Sequence, residues 1–112
     1  MMEKSTVYLN DILESIEKIE GYLDGFKAMD FENDSAIQDA VMRRLEIIGE
    51  AVKRLPEKMK SEYSDIPWRN IAGMRDILIH EYAGVQTERV WRTVKNDLPP
   101  LKRVMAKLIK EN

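Results

Sequence analysis

The chain has no cysteine, a single histidine, five glycines and four prolines among its 112 residues. Without cysteine, neither a disulfide framework nor a thiolate metal site can form. One histidine per chain excludes a histidine-rich metal cluster built by a single copy. No apolar run is longer than a few residues, so no segment reads as a membrane-spanning helix. The opening MMEKSTVYLNDILESIEKIE carries acids through its apolar positions and does not read as a signal peptide. These absences predict a cytoplasmic protein that takes no part in a membrane. A strong excess of one charge is also missing. Eighteen basic side chains face twenty acidic ones, net −2, which argues against a dedicated basic nucleic-acid binder. The length suits one domain, residues 1–112, large enough to bury a core without covalent staples.

The charge that is present is uneven. Residues 1–34 hold three basic and nine acidic side chains, residues 35–84 hold eight of each, and residues 85–112 hold seven basic and three acidic. An acidic beginning and a basic end can attract each other within one bundle. The basic end (Arg89, Arg92, Lys95, Lys102, Arg103, Lys107, Lys110) can instead meet phosphate or a protein partner. Solvated charged faces are the commoner case.

Apolar residues recur at helical steps throughout, which predicts an all-α protein. Leu9, Ile12, Leu13, Ile16, Ile19, Leu23 and Phe26 form one stripe on a helix from about Ser5 to Lys27. The segment around Met29–Asn33 breaks the pattern. A second helix starts near Asp34 or Ser35, where Ser35 and Gln38 have capping-box spacing. Its stripe is Ile37, Val41, Leu45, Ile48, Val52 and Leu55, and Pro56 interrupts or ends it. Pro67 suits the first turn of a third helix, with Asp65 near enough to cap it and Trp68, Ile71, Met74 and Leu78 apolar. Ala83-Gly84 offers a stop. Thr87 opens a fourth helix, in which Pro99-Pro100 forces a kink or break before Leu101, Val104, Met105, Leu108 and Ile109. Short loops between such stripes predict an antiparallel bundle of four to five helices. Gly49 and Gly73 fall inside helices, at roughly 1 kcal/mol each against alanine. Close approach of another helix, a second subunit or a ligand would offset that.

Candidate chemistry concentrates in RDILIHEY, residues 75 to 82, which holds the only histidine. At about 100° per residue, Arg75 and Tyr82 share a face, His80 stands about 140° around from Arg75, and Asp76 lies one turn below His80. Asp76 can therefore fix the histidine tautomer. Arg75 and His80 do not converge on one narrow face. Metal-free RNA cleavage asks for a base to take the 2′-hydroxyl proton, an acid for the leaving oxygen and a cation for the developing charge. Histidine, with an ordinary pKa near 6.5, serves as either base or acid. Arginine holds phosphate through two hydrogen bonds and keeps its charge. Two copies about a twofold axis would bring two of each to one cleft. The plainer alternatives are a structural or exposed histidine, a surface ion pair for Arg75, and core or interface roles for Tyr82, Trp68 and Trp91.

Arg75-x4-His80-x-Tyr82 resembles the R-x4-H-x-Y motif of the HepT-like branch of the HEPN superfamily. AVMRRLEIIGEA (residues 40–51), PWRNIAGMRDILIHEY (67–82) and VWRTVKNDLPPLKRV (90–104) resemble that family's second-helix, motif and closing segments. The resemblance runs nearly end to end and is weakest in the first helix. It implies a four- to five-helix bundle that forms a homodimer with the motif helix near the interface. It further implies a metal-independent endoribonuclease toxin acting on RNA, with no cofactor. The partner it implies is a minimal nucleotidyltransferase antitoxin that transfers AMP from ATP onto the motif tyrosine. Carried over by residue, Arg75 would hold the scissile phosphate, His80 would be the acid or base, Asp76 would orient a partner, and Tyr82 would accept AMP.

Two other readings stand beside this one. A non-catalytic HEPN module would dock a nucleotidyltransferase and position its substrate; such modules tend to lose the arginine or histidine, and this chain keeps both. A purely structural dimerising bundle would respond to Arg75→Ala and His80→Ala in stability alone.

Overall fold

A computed structural model describes residues 2–80 and 87–111, with side chains described from Ser5 onward and as far as Leu78 in the first stretch. The described residues form helices and connecting turns only: α1 (Met2–Tyr22), α2 (Ala28–Glu32), α3 (Ser35–Arg54), α4 (Glu57–Ser61), α5 (Trp68–His80), α6 (Thr87–Arg92) and α7 (Leu98–Glu111). A π-helical turn, Thr93–Asp97, joins α6 to α7, so residues 87–111 run as one rod. With α1, α3 and α5 this makes four long helices, and the fold is an all-α bundle. Helix α3 packs against both α1 and α5, and α1 packs on α7.

The core follows the stripes. Leu9, Ile12, Ile16 and Ile19 of α1, Val41, Leu45, Ile48 and Val52 of α3, and Ile71, Met74 and Leu78 of α5 are all buried. Leu101 and Met105 of α7 close the other side. Phe31, in the stretch where periodicity fails, is also in the core, its ring centroid 5.6 Å from that of Trp91. A one-turn helix is too short to show a stripe, which is why the pattern missed this residue.

Helix α3 starts at Ser35, as expected, but three local details differ from the sequence reading. Helix α1 ends at Tyr22 rather than Lys27, and Gly25 turns the chain at φ +79°, a left-handed value that favours glycine. The α3 cap is Asp34, whose Oδ1 accepts from the Ile37 N–H at 3.0 Å. Gln38 turns back instead, its amide donating to the carbonyls of Phe31 (2.8 Å) and Glu32 (3.0 Å). Pro99-Pro100 does not break the last rod. Both prolines lie in the first turn of α7, and the carbonyls of Lys95 and Asn96, which would lack an i+4 donor, fall within the wider π-helical turn just before it.

Among the described residues the attraction between the acidic beginning and the basic end is realised where Lys102 Nζ meets Glu20 Oε1 at 2.8 Å. Lys95 and Lys107 stand over the rings of Trp91 and Tyr63 at 4.6 and 5.4 Å. No helix among the described residues is long and apolar enough to cross a membrane.

Candidate functional site

The site is built where α3 and α5 come closest. Gly49 faces α5, and a Cβ placed there would lie 2.8 Å from Arg75 Cβ, 3.2 Å from the Ile71 carbonyl and 3.4 Å from that of Ala72. The missing side chain lets the helices approach, and the approach sets Glu50 against Arg75. Arg75 Nε forms an ion pair with Glu50 Oε1 at 2.8 Å. Its Nη1 donates to Asp76 Oδ1 at 3.1 Å. Its Nη2 has no partner among the described residues. A guanidinium pinned at two nitrogens keeps a donor edge for an incoming oxyanion.

Glu50 is itself fixed. Arg54, one turn later on α3, donates from Nε and Nη2 to Glu50 Oε2 at 3.1 and 3.0 Å. The Arg54 hydrogen bond, foremost, holds the Glu50 carboxyl below its ordinary value; partial burial opposes this, and the charges of Arg75, Arg54 and Lys53 add to it. The same bond pushes Arg54 up from its ordinary value. Lys53 Nζ stands 3.8 Å from Asp76 Oδ1, so that carboxylate lies between two cations. The side chain of Arg75 is 31% exposed, against 40% for Glu50 and 52% for Asp76. Arg75 is thus the more enclosed member of a chain of alternating charges.

Of the residues singled out in sequence, the structure brings Arg75 and Asp76 into direct contact. It carries α5 through His80, so the azimuth of about 140° between Arg75 and His80 stands. The His80 side chain, and with it the expected Asp76–His80 hydrogen bond, lies outside the described residues, as do Tyr82 and the stop at Ala83-Gly84. Sequence reasoning missed Glu50 and Arg54. The signal available was Gly49: a glycine inside a helix marks close approach, and its neighbour one step along the helix faces the same cleft. Gly73 behaves differently, for a Cβ there would meet nothing within 4 Å among the described residues. Among the described residues no group of three or more histidine or acidic side chains gathers in a way that could hold a metal ion.

Arg75 also closes one end of a groove of about 360 Å³ between α1, α3 and α5. On the other side of α3 a second groove, of about 660 Å³, runs between α3, α4 and the start of α5.

A family model described as Ribonuclease HepT-like matches residues 12–108. Over 103 residues the chain is 50% identical to a Thermococcus cleftensis protein named a probable ribonuclease HepT, covering 92% of this chain and 94% of that one. It is 39% identical over 110 residues to a Caldanaerobacter subterraneus protein named as a candidate RNase, with 98% of each covered. It is also 48% identical over 111 residues to a Methanocaldococcus jannaschii protein whose name joins gamma-glutamylcyclotransferase to a candidate RNase. That match covers 99% of this chain but 50% of the longer protein, so the chain spans half of that relative. No solved structure matches significantly. The motif, the bundle that presents it and a match over most of the chain agree: the chain belongs to the HepT-like ribonuclease family.

Proposed function

We propose that this chain, as a single domain over residues 1–112, is the toxin of a toxin–antitoxin pair: a metal-independent endoribonuclease of the cytoplasm, active as a homodimer and silenced by AMP on Tyr82. The observation that carries this reading is Arg75. It is a guanidinium ion-paired with Glu50 at Nε and hydrogen-bonded to Asp76 at Nη1, with Nη2 uncommitted among the described residues, five positions before the only histidine, on the same helix.

The chemistry follows from these groups. The 2′-oxygen of a ribose attacks the adjacent phosphorus, and one His80 takes the hydroxyl proton. Charge builds on the non-bridging oxygens, where Arg75 donates. The bond to the 5′-oxygen breaks, and a second His80 returns a proton to it. The products are a 2′,3′-cyclic phosphate and a 5′-hydroxyl. Asp76 orients Arg75 through Nη1. Base and acid are both histidine, and each chain has one, so the mechanism needs two copies.

Gly73 supports the two-copy arrangement. It costs its helix roughly 1 kcal/mol against alanine, and nothing among the described residues packs where its side chain would be. It lies about 20° from His80 around α5. A second backbone resting there would account for it. Gly73→Leu is therefore expected to leave the fold intact while dissociating the dimer and removing cleavage. Sedimentation and a thermal melt check this, and an active, fully dimeric Gly73→Leu protein would move the interface elsewhere.

Silencing also follows from charge. The Tyr82 oxygen attacks the α-phosphorus of ATP bound by the antitoxin, and pyrophosphate leaves. The phosphate added at Tyr82, seven residues after Arg75 in the chain, competes for the Arg75 donors and blocks RNA. The test begins with unmodified protein, checked by intact mass, cutting RNA in EDTA and leaving cyclic-phosphate ends. Tyr82→Phe is expected to cut as wild type and to stay active beside the antitoxin and ATP. A Tyr82→Phe protein that was still silenced would refute this account of control. Absence of cleavage by unmodified wild type would favour the non-catalytic module that docks a nucleotidyltransferase.

A further inference from the structure

The groove that ends at Arg75 differs in character from its neighbour. Its wall combines the half-exposed ring of Tyr8 on α1 with the aliphatic side chains of Ile47 and Ala51 on α3. Asp11, Arg43 and Glu46 stand at its polar side and have no ion-pair partner among the described residues. With Glu50 and Arg75 counted, three carboxylates face two guanidiniums, net −1. The groove on the other side of α3 presents Lys53, Lys60 and Arg69 against Glu57, net +2. A phosphodiester chain is drawn more strongly along the second surface than along the first, where Arg75 at its edge is the group placed to take a phosphate. A neutral, flat, hydrogen-bonding group is suited to the first. Its volume, about 360 Å³, falls within the roughly 300–1,000 Å³ of small-ligand clefts.

We propose that the Tyr8 groove is a subsite for the nucleobase of the nucleotide whose phosphate sits on Arg75, and that it selects guanine. This rests on the reading of Arg75 as the group that holds the scissile phosphate. Among the described residues Arg75 is the sole contribution of α5 to the groove, so whatever fills the groove adjoins a phosphate held there. Tyr8 supplies a stacking face, the usual means by which proteins hold an unstacked RNA base. The Asp11 and Glu46 carboxylates accept hydrogen bonds and donate none. Guanine offers two adjacent donors on its pairing edge, N1–H and the 2-amino group, which match the two oxygens of a carboxylate. Uracil offers one donor between two carbonyls, and those carbonyls would face like-charged oxygens.

The test is a panel of short single-stranded RNAs that differ at one nucleotide beside the scissile bond, cut by unmodified wild type, Tyr8→Ala, Tyr8→Phe, Asp11→Asn, Glu46→Gln and Arg75→Ala. Wild type is expected to favour guanine over uracil about tenfold or more in kcat/KM. Tyr8→Ala is expected to lose about tenfold to a hundredfold, mainly in KM, and Tyr8→Phe to keep most activity because stacking needs only the ring. Tyr8 also packs against the core, so the exposed or half-exposed Asp11→Asn and Glu46→Gln carry the decision if Tyr8→Ala does not fold. At least one of the two should flatten the guanine preference with an unchanged melt. Loss of activity in Arg75→Ala alone, with the same base profile in all the groove variants, would overturn the subsite and leave the role of Arg75 intact. Full activity in Arg75→Ala, or no cleavage by wild type, would overturn both.

Discussion

Arg75→Ala and His80→Ala are each expected to lower RNA cleavage in EDTA by about a thousandfold, with both proteins folded and dimeric. A donor aimed at developing charge is worth about 10²–10³ in rate, and a positioned acid or base about 10²–10⁴. Removal of Arg75 takes away the charged fork and leaves Glu50 and Asp76 facing the phosphate, so repulsion adds to the lost attraction. Arg75→Lys separates these effects. It keeps the charge but loses the fork, so it cannot hold Glu50 through Nε and phosphate through the remaining edge together. It should recover only part of the loss. The variants need not behave alike in stability. Arg75 binds two carboxylates at 2.8 and 3.1 Å, but all three side chains reach solvent, and such pairs contribute little to folding. Its removal should therefore show in rate and scarcely in the melt. Wild-type rates in both variants would assign Arg75 to a surface ion pair and sink the proposed chemistry.

The second large effect falls on the fold. Gly49→Ala is expected to destabilise the protein by about 1–3 kcal/mol, a fall of roughly 5–15 °C in melting temperature. In an exposed helix the same change would stabilise by about 1 kcal/mol. The sign reverses because the new methyl would lie 2.8 Å from Arg75 Cβ and 3.2 Å from the Ile71 carbonyl. Neither is the free end of a flexible side chain, so α3 and α5 must move apart. That shift also draws Glu50 away from Arg75, and cleavage should fall by more than the unfolded fraction explains. A Gly49→Ala protein that melted at or above wild type would mean that the helices separate at little cost.

The two internal glycines show how far sequence reading reaches. Both carry the same helix penalty, and both invited the same explanation of close approach. That explanation holds for Gly49 within the chain and finds nothing at Gly73 among the described residues. A helix penalty is a local quantity; what offsets it depends on which other element passes that face. Asp76 was legible as a site residue through its one-turn spacing from His80, while its hydrogen bond to Arg75 came only from the structure. Glu50 was not, because it reaches Arg75 across two helices.

The sequence by itself determined what depends on a repeating local step. A stripe every three or four residues defined the rods and the faces they bury, and nearly every predicted core position of α3 and α5 is buried. The same step set His80 about 140° from Arg75, and the count of one histidine per chain is what makes any two-histidine reaction a matter for two copies. Only the tertiary structure decided which carboxylates hold Arg75, which turn takes up Pro99-Pro100, and that the groove beside Arg75 is aromatic and acidic while the one across α3 is cationic. Those outcomes depend on distances between residues remote in the chain, set by how closely packed helices approach, and periodicity along one helix carries no information about that distance.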